Sequence, residues 1–300
     1  MGAADGCGAP AFPTNQARRP YAGASAQGPS LMPSDHDTDA TIHSARDANI
    51  DHHAATLHRA MRGAGAVAQL SARGPVPVDL AYAIQARGLA LRQADGERSV
   101  GIKMGFTSRA KMVQMGVSET IFGRLTDAMQ VAPSGSVAHA RFIHPRAEPE
   151  LAFVLRRPVR GAITIDEARA AVAAVCPAIE LIDSRYENFE FSLADVVADN
   201  SSSAAFVLGA PAPADLAIED LAVNFLIDGT PRQTGSTAAI LGNPWLSLVE
   251  AARFAERYDL ALEPGDVILA GAATEAVAVA PGSHVRVDIE GMAPLGFSLA

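Results

Sequence analysis

The stretch RAEPELAFVL, residues 146–155, places two glutamates one position apart at the start of an apolar run. Successive side chains of a β-strand point to opposite faces, so Glu148 and Glu150 share one face while Leu151 and Phe153 occupy the other. An ionised carboxylate beside buried apolar surface is costly unless something pairs with it. The pattern therefore predicts a strand with one buried face and one acidic face that requires a partner.

A third acid and a proline refine this prediction. Pro149 has no backbone N–H to donate to a neighbouring strand, which indicates a sheet edge or a β-bulge at this position. Glu180 lies within another apolar run, PAIELIDS, residues 177–184. Three converging carboxylates repel one another unless a cation offsets them, and hard oxygen ligands favour Mg²⁺ or Mn²⁺. Alternatively, the first two glutamates form the wet face of a half-exposed strand and Glu180 pairs with an arginine such as Arg185. Spacing alone leaves both interpretations open.

Composition describes an acidic globular protein. With 300 residues, 49% of them hydrophobic, the chain can form one large domain or two ordinary ones. Lys and Arg number 24 against 33 Asp and Glu, and the net charge of −9 opposes binding to nucleic acid or anionic lipid. Cys7 and Cys176 indicate no disulfide framework or thiolate zinc site. No membrane span or secretory signal is evident, so we expect a cytoplasmic protein.

The chain divides into a tail and one folded domain. Residues 1–45 are rich in Gly, Ala, Pro, Ser and Asp without a sustained period, which predicts a disordered tail. Residues 46–300 form a single domain that is helical to about residue 97 and β-rich thereafter. Five histidines lie in the tail or the first helix: His36, His43, His52, His53 and His58. They are either solvated side chains or a metal-binding tract.

Patterning predicts an α+β fold. Helices are expected over residues 45–62, from Asp79 as N-cap to Gly96, and over residues 244–258 with Asn243 as the cap. Strands are expected at 100–106, 147–155, 178–183, 204–208, 222–228, 266–270 and 284–289. Because helices and strands do not alternate regularly, a rolled or sandwiched sheet is favoured over a parallel doubly wound sheet.

Two further segments are candidates for chemistry. In VGIKMGF, residues 100–106, Lys103 shares a strand face with Gly101 and Gly105. Glycine in a strand often marks the close approach of a ligand or another backbone, although Lys103 can also be an ordinary surface lysine. The polar run ADNSSS, residues 198–203, is either a turn or the wall of a polar pocket.

Four blocks in sequence resemble the hydratases and decarboxylases of the aromatic meta-cleavage pathway, relatives of fumarylacetoacetate hydrolase. The blocks are GIKMGFTSRAKMVQMGV (101–117), HPRAEPELAFVL (144–155), AIELIDSRYENFEFSLADVVADNSSS (178–203) and the weaker LEPGDVILAGAATEAVAVAPG (262–282). The resemblance extends from about residue 50 to the end of the chain. It implies a fumarylacetoacetate hydrolase-like α+β fold, a mixed β-roll or sandwich with N-terminal helices, and a single hydratase/decarboxylase-type catalytic domain.

The resemblance also implies the site. The implied assignments are the metal ligands Glu148, Glu150 and Glu180 for Mg²⁺ or Mn²⁺, the catalytic residues Lys103, Ser202 and Asn200, and the substrate-pocket residues Met115, Ile121 and Gly271. This chain departs from the family pattern at two positions that concern the C-terminal pocket wall. Relatives usually have His at the position of Asn243 and Thr at the position of Ala270.

Two activities share this scaffold. The 4-oxalocrotonate decarboxylases of this family typically carry KMG-TS-AKM-QMGV and DSRYENF-F, and this chain resembles them in both motifs. Hydratases usually have Asp at the position of Ile121. The resemblance therefore implies metal-dependent decarboxylation of 2-oxo-3-hexenedioate (4-oxalocrotonate) to 2-hydroxypenta-2,4-dienoate. The alternatives are a hydratase or hydrolase of a related 2-oxo acid, such as 2-oxopent-4-enoate, and a non-enzymatic binding role. The implied partners are a 2-oxo dicarboxylic acid, the pathway hydratase and further copies of this chain.

Overall fold

The computed structural model describes residues 35–300 except 109–111, 114–115, 118 and 214, with side chains from residue 46 onward. The chain divides into two units, residues 1–43 and 44–300. Residues 1–34, most of the predicted disordered tail, lie outside the described residues. Residues 35–45 of that tail are helical, because the first helix begins earlier than predicted. Aspartate recurs at its start, and acidic residues favour a helix N-terminus.

The described part of the chain contains five helices whose bounds can be given. They are α1 Asp35–Gly63, α2 Val78–Ala94, α3 Ile165–Ala171, α4 Leu193–Ala198 and α5 Trp245–Arg257. Asp79 lies in the first turn of α2 and not at its N-cap, which is Pro77. The N-cap of α5 is Pro244 and not the predicted Asn243, although the Asn243 Oδ1 accepts the Trp245 N–H at 3.0 Å. Helices α3 and α4 were not predicted, because each has two turns or fewer, which is too short to show a helical period of apolar residues.

Among the described residues, thirteen strands form two sheets. The strands are β1 Ser99–Gly105, β2 Ile121–Thr126, β3 Gln130–Val131, β4 Ser136–Val137, β5 Arg146–Leu155, β6 Val172–Ile182, β7 Ser203–Leu208, β8 Ala222–Ile227, β9 Thr230–Ser236, β10 Val267–Ala272, β11 Val277–Ala278, β12 His284–Ile289 and β13 Leu295–Leu299. The larger sheet has eight strands in the order β2-β1-β10-β5-β6-β7-β3, with β11 beside β5. It is mixed, because β1 runs parallel to β10 and β3 parallel to β7.

A short link forces the larger sheet to curl. Strands β2 and β3 lie at its two ends, yet only the 3₁₀ turn Asp127–Met129 separates them in sequence. A flat sheet would hold these ends roughly 29 Å apart, whereas the link spans at most about 14 Å. The sheet therefore closes into a roll, and β2 contacts β7, the neighbour of β3. The predicted α+β roll is confirmed.

The interior of the roll holds a buried cluster of apolar side chains that is separate from the main core. Residues paired across strands share a face, and the register aligns Lys103 with Leu269, Leu269 with Ala152, and Ala152 with Cys176. All but Lys103 belong to one buried cluster, to which both β2 and β7 contribute. At Gly101 a Cβ would lie 1.9 Å from the carbonyl oxygen of Val267. Bare positions of this kind let the strands close tightly around Lys103.

The outer face of the roll packs on the rest of the domain. Side chains of the opposite parity, including Leu151, Phe153 and Met104, join the main core with the helices and the smaller sheet. That sheet has five strands in the order β4-β13-β12-β8-β9, and β12 and β13 contact β6. Its edge strand β9 contains Pro231 and Arg232, and both are exposed. No helix in the described ranges is long and apolar enough to cross a membrane.

Replacing Gly101 with Ala tests the closure of the roll. The residue has φ +137°, which L-residues rarely adopt, and the new Cβ would overlap the Val267 carbonyl. We expect the free energy of unfolding, measured by chemical denaturation, to fall by at least about 3 kcal/mol. Gly88→Ala in α2 is the matched control, since its Cβ would meet nothing within 4 Å. An unchanged denaturation midpoint for Gly101→Ala would contradict this account.

Candidate metal centre

Three carboxylates converge at one end of the roll. Glu148 and Glu180 face each other directly across β5 and β6, and Glu150 follows two residues later on the same face. Each offers one oxygen such that the three oxygens lie within 4.8 Å of one another. Glu150 and Glu180 are fully buried, whereas Glu148 is half-buried. The three carboxylates therefore converge, as one interpretation of RAEPELAFVL predicts, and the buried Glu150 does not lie on the wet face of a half-exposed strand.

Glu150 combines burial with an incomplete set of partners. Its Oε2 accepts the Gly271 N–H at 2.8 Å, and its buried Oε1 has no hydrogen-bond partner among the described residues. Burial raises the pKa of Glu150 well above its ordinary value, and the Glu180 charge raises it further, while Lys103 lowers it. A buried carboxylate oxygen without a donor is costly, so this atom is suited to a cation.

Lys103 and Ser203 hold Glu180. The Lys103 Nζ lies 2.8 Å from the Glu180 Oε2, and the Ser203 Oγ donates to its Oε1 at 2.7 Å. Burial lowers the pKa of Lys103, but the charges of Glu180, Glu148 and Glu150 outweigh it, so the pKa of Lys103 is raised. Lys103 is therefore a buried cation and not a surface lysine.

Arg185, the alternative partner considered for Glu180, is engaged elsewhere. The Arg185 Nε lies 2.5 Å from the Asp199 Oδ1, and the backbone N–H of Arg185 donates to the Asp199 Oδ2 at 2.9 Å. This buried pair fixes the ends of the loop between β6 and β7. Only Lys103 among the described basic side chains forms an ion pair with Glu180.

The donor set fits a divalent cation of the hard type. Three carboxylates carry up to three negative charges, and Lys103 offsets one of them. Oxygen ligands without His or Cys are those of Mg²⁺, Mn²⁺ or Ca²⁺. A divalent ion would both balance the remaining charge and supply the missing partner of Glu150.

A cavity of about 530 Å³ opens from the acidic triad. Glu148, Lys103, Ile121 and Ser202 line it together. Three aromatic side chains also line it: Phe106, Phe189 and Phe191. A cavity of this size that is lined by both apolar and polar side chains is typical of a small-molecule site.

The run Asn200, Ser201 and Ser202 has three successive residues with positive φ, at 53°, 53° and 57°. This strained conformation sends neighbouring side chains in different directions. The buried Ser202 Oγ lines the cavity and has no partner among the described residues. The Asn200 side chain instead bonds both backbone groups of Arg124, at 2.7 and 2.9 Å, and does not line the cavity. The polar run is thus both a turn and a pocket wall.

The remaining predicted positions differ in their placement. Gly271 has φ +107°, and a Cβ there would lie 2.0 Å from the Thr107 Oγ1, so only glycine lets its N–H reach Glu150. Ala270 is buried, and its carbonyl accepts the Ser247 hydroxyl. Neither Ala270 nor Asn243 lines the cavity, so these departures do not change its wall. Met115 lies outside the described residues.

Sequence reasoning missed three contributors to the site. Ser203 is the last residue of the expected polar run, but only the register of β6 and β7 brings it to Glu180. Arg146 precedes Glu148 by two residues, a spacing that places both on one strand face and was available from the sequence. Phe189 reaches the cavity through a loop with positive φ at Asn188 and Phe189, which no local pattern indicated.

Comparison with known proteins identifies the architecture. The profile described as fumarylacetoacetate (FAA) hydrolase C-terminal matches residues 97–299. The chain belongs to the fumarylacetoacetate hydrolase family. The match contains every element that contributes to the triad and its cavity.

Relatives within this family carry two kinds of name. A 4-oxalocrotonate decarboxylase of Pseudomonas sp is 49% identical over 233 residues, which cover 78% of this chain and 91% of the relative. A 2-hydroxyhexa-2,4-dienoate hydratase of Comamonas testosteroni is 34% identical over 242 residues, which cover 79% of this chain and 92% of the relative. Decarboxylases and hydratases of this type are both lyases.

Solved structures of the family share the fold. The 4-oxalocrotonate decarboxylase from Pseudomonas putida G7, complexed with magnesium and adipate, has a TM-score of 0.82 and 32% identity, covering 85% of this chain and 98% of that one. The same protein complexed with calcium and acetate has a TM-score of 0.80 and 31% identity, with equal coverage. Both of those complexes contain a divalent metal ion.

Removal of the Ser203 hydroxyl tests how the triad is oriented. Ser203→Ala deletes the donor to Glu180 and is expected to weaken Mg²⁺ binding by roughly 10- to 100-fold, measured by isothermal titration calorimetry. Ser201→Ala is the control, because its buried hydroxyl donates to the Phe122 carbonyl and contacts no glutamate. Equal Mg²⁺ affinities for the two variants would show that Ser203 does not orient the ligand.

Proposed function

We propose that this protein is a metal-dependent decarboxylase that converts 2-oxo-3-hexenedioate to 2-hydroxypenta-2,4-dienoate and CO₂ in the meta-cleavage route of aromatic catabolism. The observation that carries the proposal is the triad of Glu148, Glu150 and Glu180, two of them buried, which lies beside Lys103 at one end of a cavity. The similarity to 4-oxalocrotonate decarboxylases over most of the chain supports the choice of substrate.

The three glutamates are the proposed ligands of Mg²⁺, with Mn²⁺ as the alternative ion. The unpartnered Oε1 of Glu150 and the hard oxygen donors support this assignment. Such an ion supplies Lewis-acid stabilisation of negative charge that develops on a substrate oxygen.

The protein side chains would orient the substrate and stabilise the charge that develops. When the bond between C5 and C6 breaks, CO₂ leaves and the electron pair is delocalised through the conjugated chain to the C2 oxygen, which takes up a proton to give the 2-hydroxy product. Lys103 contributes a fixed positive charge at that end of the cavity. The Ser202 hydroxyl, which has no partner among the described residues, is the proposed donor to the substrate. Asn200 would act indirectly, by fixing the turn that aims Ser202.

The pocket wall favours decarboxylation over hydration. Ile121 is buried and packs against Gly105, where a Cβ would lie 2.9 Å from its Cγ1. Its apolar side chain provides no group for activating water. Gly271 and Met115 are proposed to shape the same pocket. A hydratase of a related 2-oxo acid is the second candidate, supported by the hydratases among the relatives.

The proposed setting of the enzyme follows from its chemistry. The product is a reactive dienol, so we propose a complex with the hydratase that consumes it. We also propose that the chain is a homo-oligomer and that it acts in the cytoplasm.

Loss of either end of the triad should abolish turnover. Glu148→Gln and Glu180→Gln are each expected to lower CO₂ release from 2-oxo-3-hexenedioate by at least about a hundredfold, because the ion loses a charged ligand. Glu263→Gln changes an exposed glutamate outside the cavity and should retain activity. Circular dichroism would verify folding. Full activity of the wild type after treatment with a chelator would refute the proposal.

A charge at position 121 tests the preference for decarboxylation. Ile121→Asp is expected to lower CO₂ release by at least about tenfold, because the new carboxylate repels the anionic substrate at short range. Ile121→Asn, which has a similar shape without the charge, should lose less activity.

Mass spectrometry of the wild-type product decides between the two candidates. A product heavier by one water, formed without CO₂, would establish the hydratase instead.

A further inference from the structure

Arg146 lies at the mouth of the candidate site. It is the first residue of β5, shares a strand face with Glu148, and lines the same cavity. Its side chain is exposed, and it forms no hydrogen bond or ion pair with the described residues. Lys103, the other basic side chain in the described lining, is engaged by Glu180. Among the described lining residues, Arg146 is therefore the cation that is available to a ligand.

An aromatic ring holds the guanidinium in place. The Arg146 Cζ lies 4.3 Å from the centroid of the Phe189 ring, which also lines the cavity. Phe189 is fixed in turn by the rings of His144 at 5.0 Å and Phe191 at 5.6 Å. A stacked guanidinium keeps its N–H donors in one plane, which suits a carboxylate that accepts two hydrogen bonds. The group is thus oriented before any ligand binds.

The spacing of the two ends suits a dicarboxylic acid. Arg146 and Glu148 are two residues apart along β5, which separates their Cα atoms by about 7 Å. This separation is comparable with that of the two carboxylates in an extended six-carbon diacid. The exposed carboxylate of Glu275 also lines the cavity, so an anionic ligand would need a specific cation at this end.

We propose that Arg146 binds the second carboxylate of a 2-oxo dicarboxylic acid and thereby selects dicarboxylic over monocarboxylic substrates. This inference rests on the proposed function. The bound carboxylate is the one that leaves as CO₂. Because Arg146 stabilises it before the bond breaks, the contact contributes to binding and not to the transition state. Loss of Arg146 should therefore raise KM while kcat stays level or rises.

Two inert ligands isolate this contact. 2-Oxoadipate and 2-oxohexanoate have the same chain length and the same 2-oxo acid end, but only the first has a second carboxylate. Their affinities for the full-length protein with Mg²⁺ are measured by isothermal titration calorimetry. We expect the wild type to bind 2-oxoadipate roughly 10- to 100-fold more tightly. Arg146→Gln should lose this preference and keep its affinity for 2-oxohexanoate, and Arg146→Lys should keep part of the preference.

Arg141→Gln is the matched control. Arg141 is an exposed arginine that also lies over an aromatic ring, 6.0 Å from the centroid of Phe142, but it does not line the cavity. Its replacement should leave the preference intact. Equal weakening of both ligands by Arg146→Gln, or an unchanged preference, would overturn the inference. If the preference behaves as expected but the wild type releases no CO₂ from 2-oxo-3-hexenedioate, the proposed function fails while the role of Arg146 stands.

Discussion

Three carboxylates held within 4.8 Å inside an apolar roll are the constraint on which the site depends. Like charges at this distance repel strongly when water is excluded, so the structure must supply positive charge and donors. Lys103, Ser203 and the Gly271 N–H provide them, and they come from β1, β7 and β10. The roll is what brings these strands around β5 and β6. The fold and the chemistry are thus coupled through charge balance.

Local pattern predicted much of the fold and the triad. Alternation along RAEPELAFVL placed both glutamates on one face, and the bare neighbours of Lys103 indicated a close approach. Patterns within a segment cannot specify pairing between distant strands, however, so the contact of Glu180 with Lys103 was open until the register was known. The curl depends on a three-residue link between the ends of the sheet, and no periodicity encodes it. The direction of the Asn200 side chain was also open, because successive residues with positive φ break the rule that relates spacing to direction.

The family shows how one scaffold supports two reactions. The triad, Lys103 and the glycines are fixed by the closure of the roll, so few residues there can change without loss of the fold. Residues on the cavity wall are less constrained. Ile121, Arg146 and Phe189 contact the space that a substrate would fill, and they lie on strand ends or loops. Changes at such positions can alter which bond breaks while the metal site is retained.

Closure of the roll also bears on how the protein avoids aggregation. An open sheet presents unpaired N–H and C=O groups along its two outer strands, and another chain can add to either of them. Here the two outer strands are drawn toward each other by the Asp127–Met129 turn, so the larger sheet offers little edge to a passing chain. The smaller sheet does end in an open strand, β9, and there Pro231 and Arg232 interrupt and charge the edge. The same curvature that encloses the glutamates thus limits intermolecular strand addition.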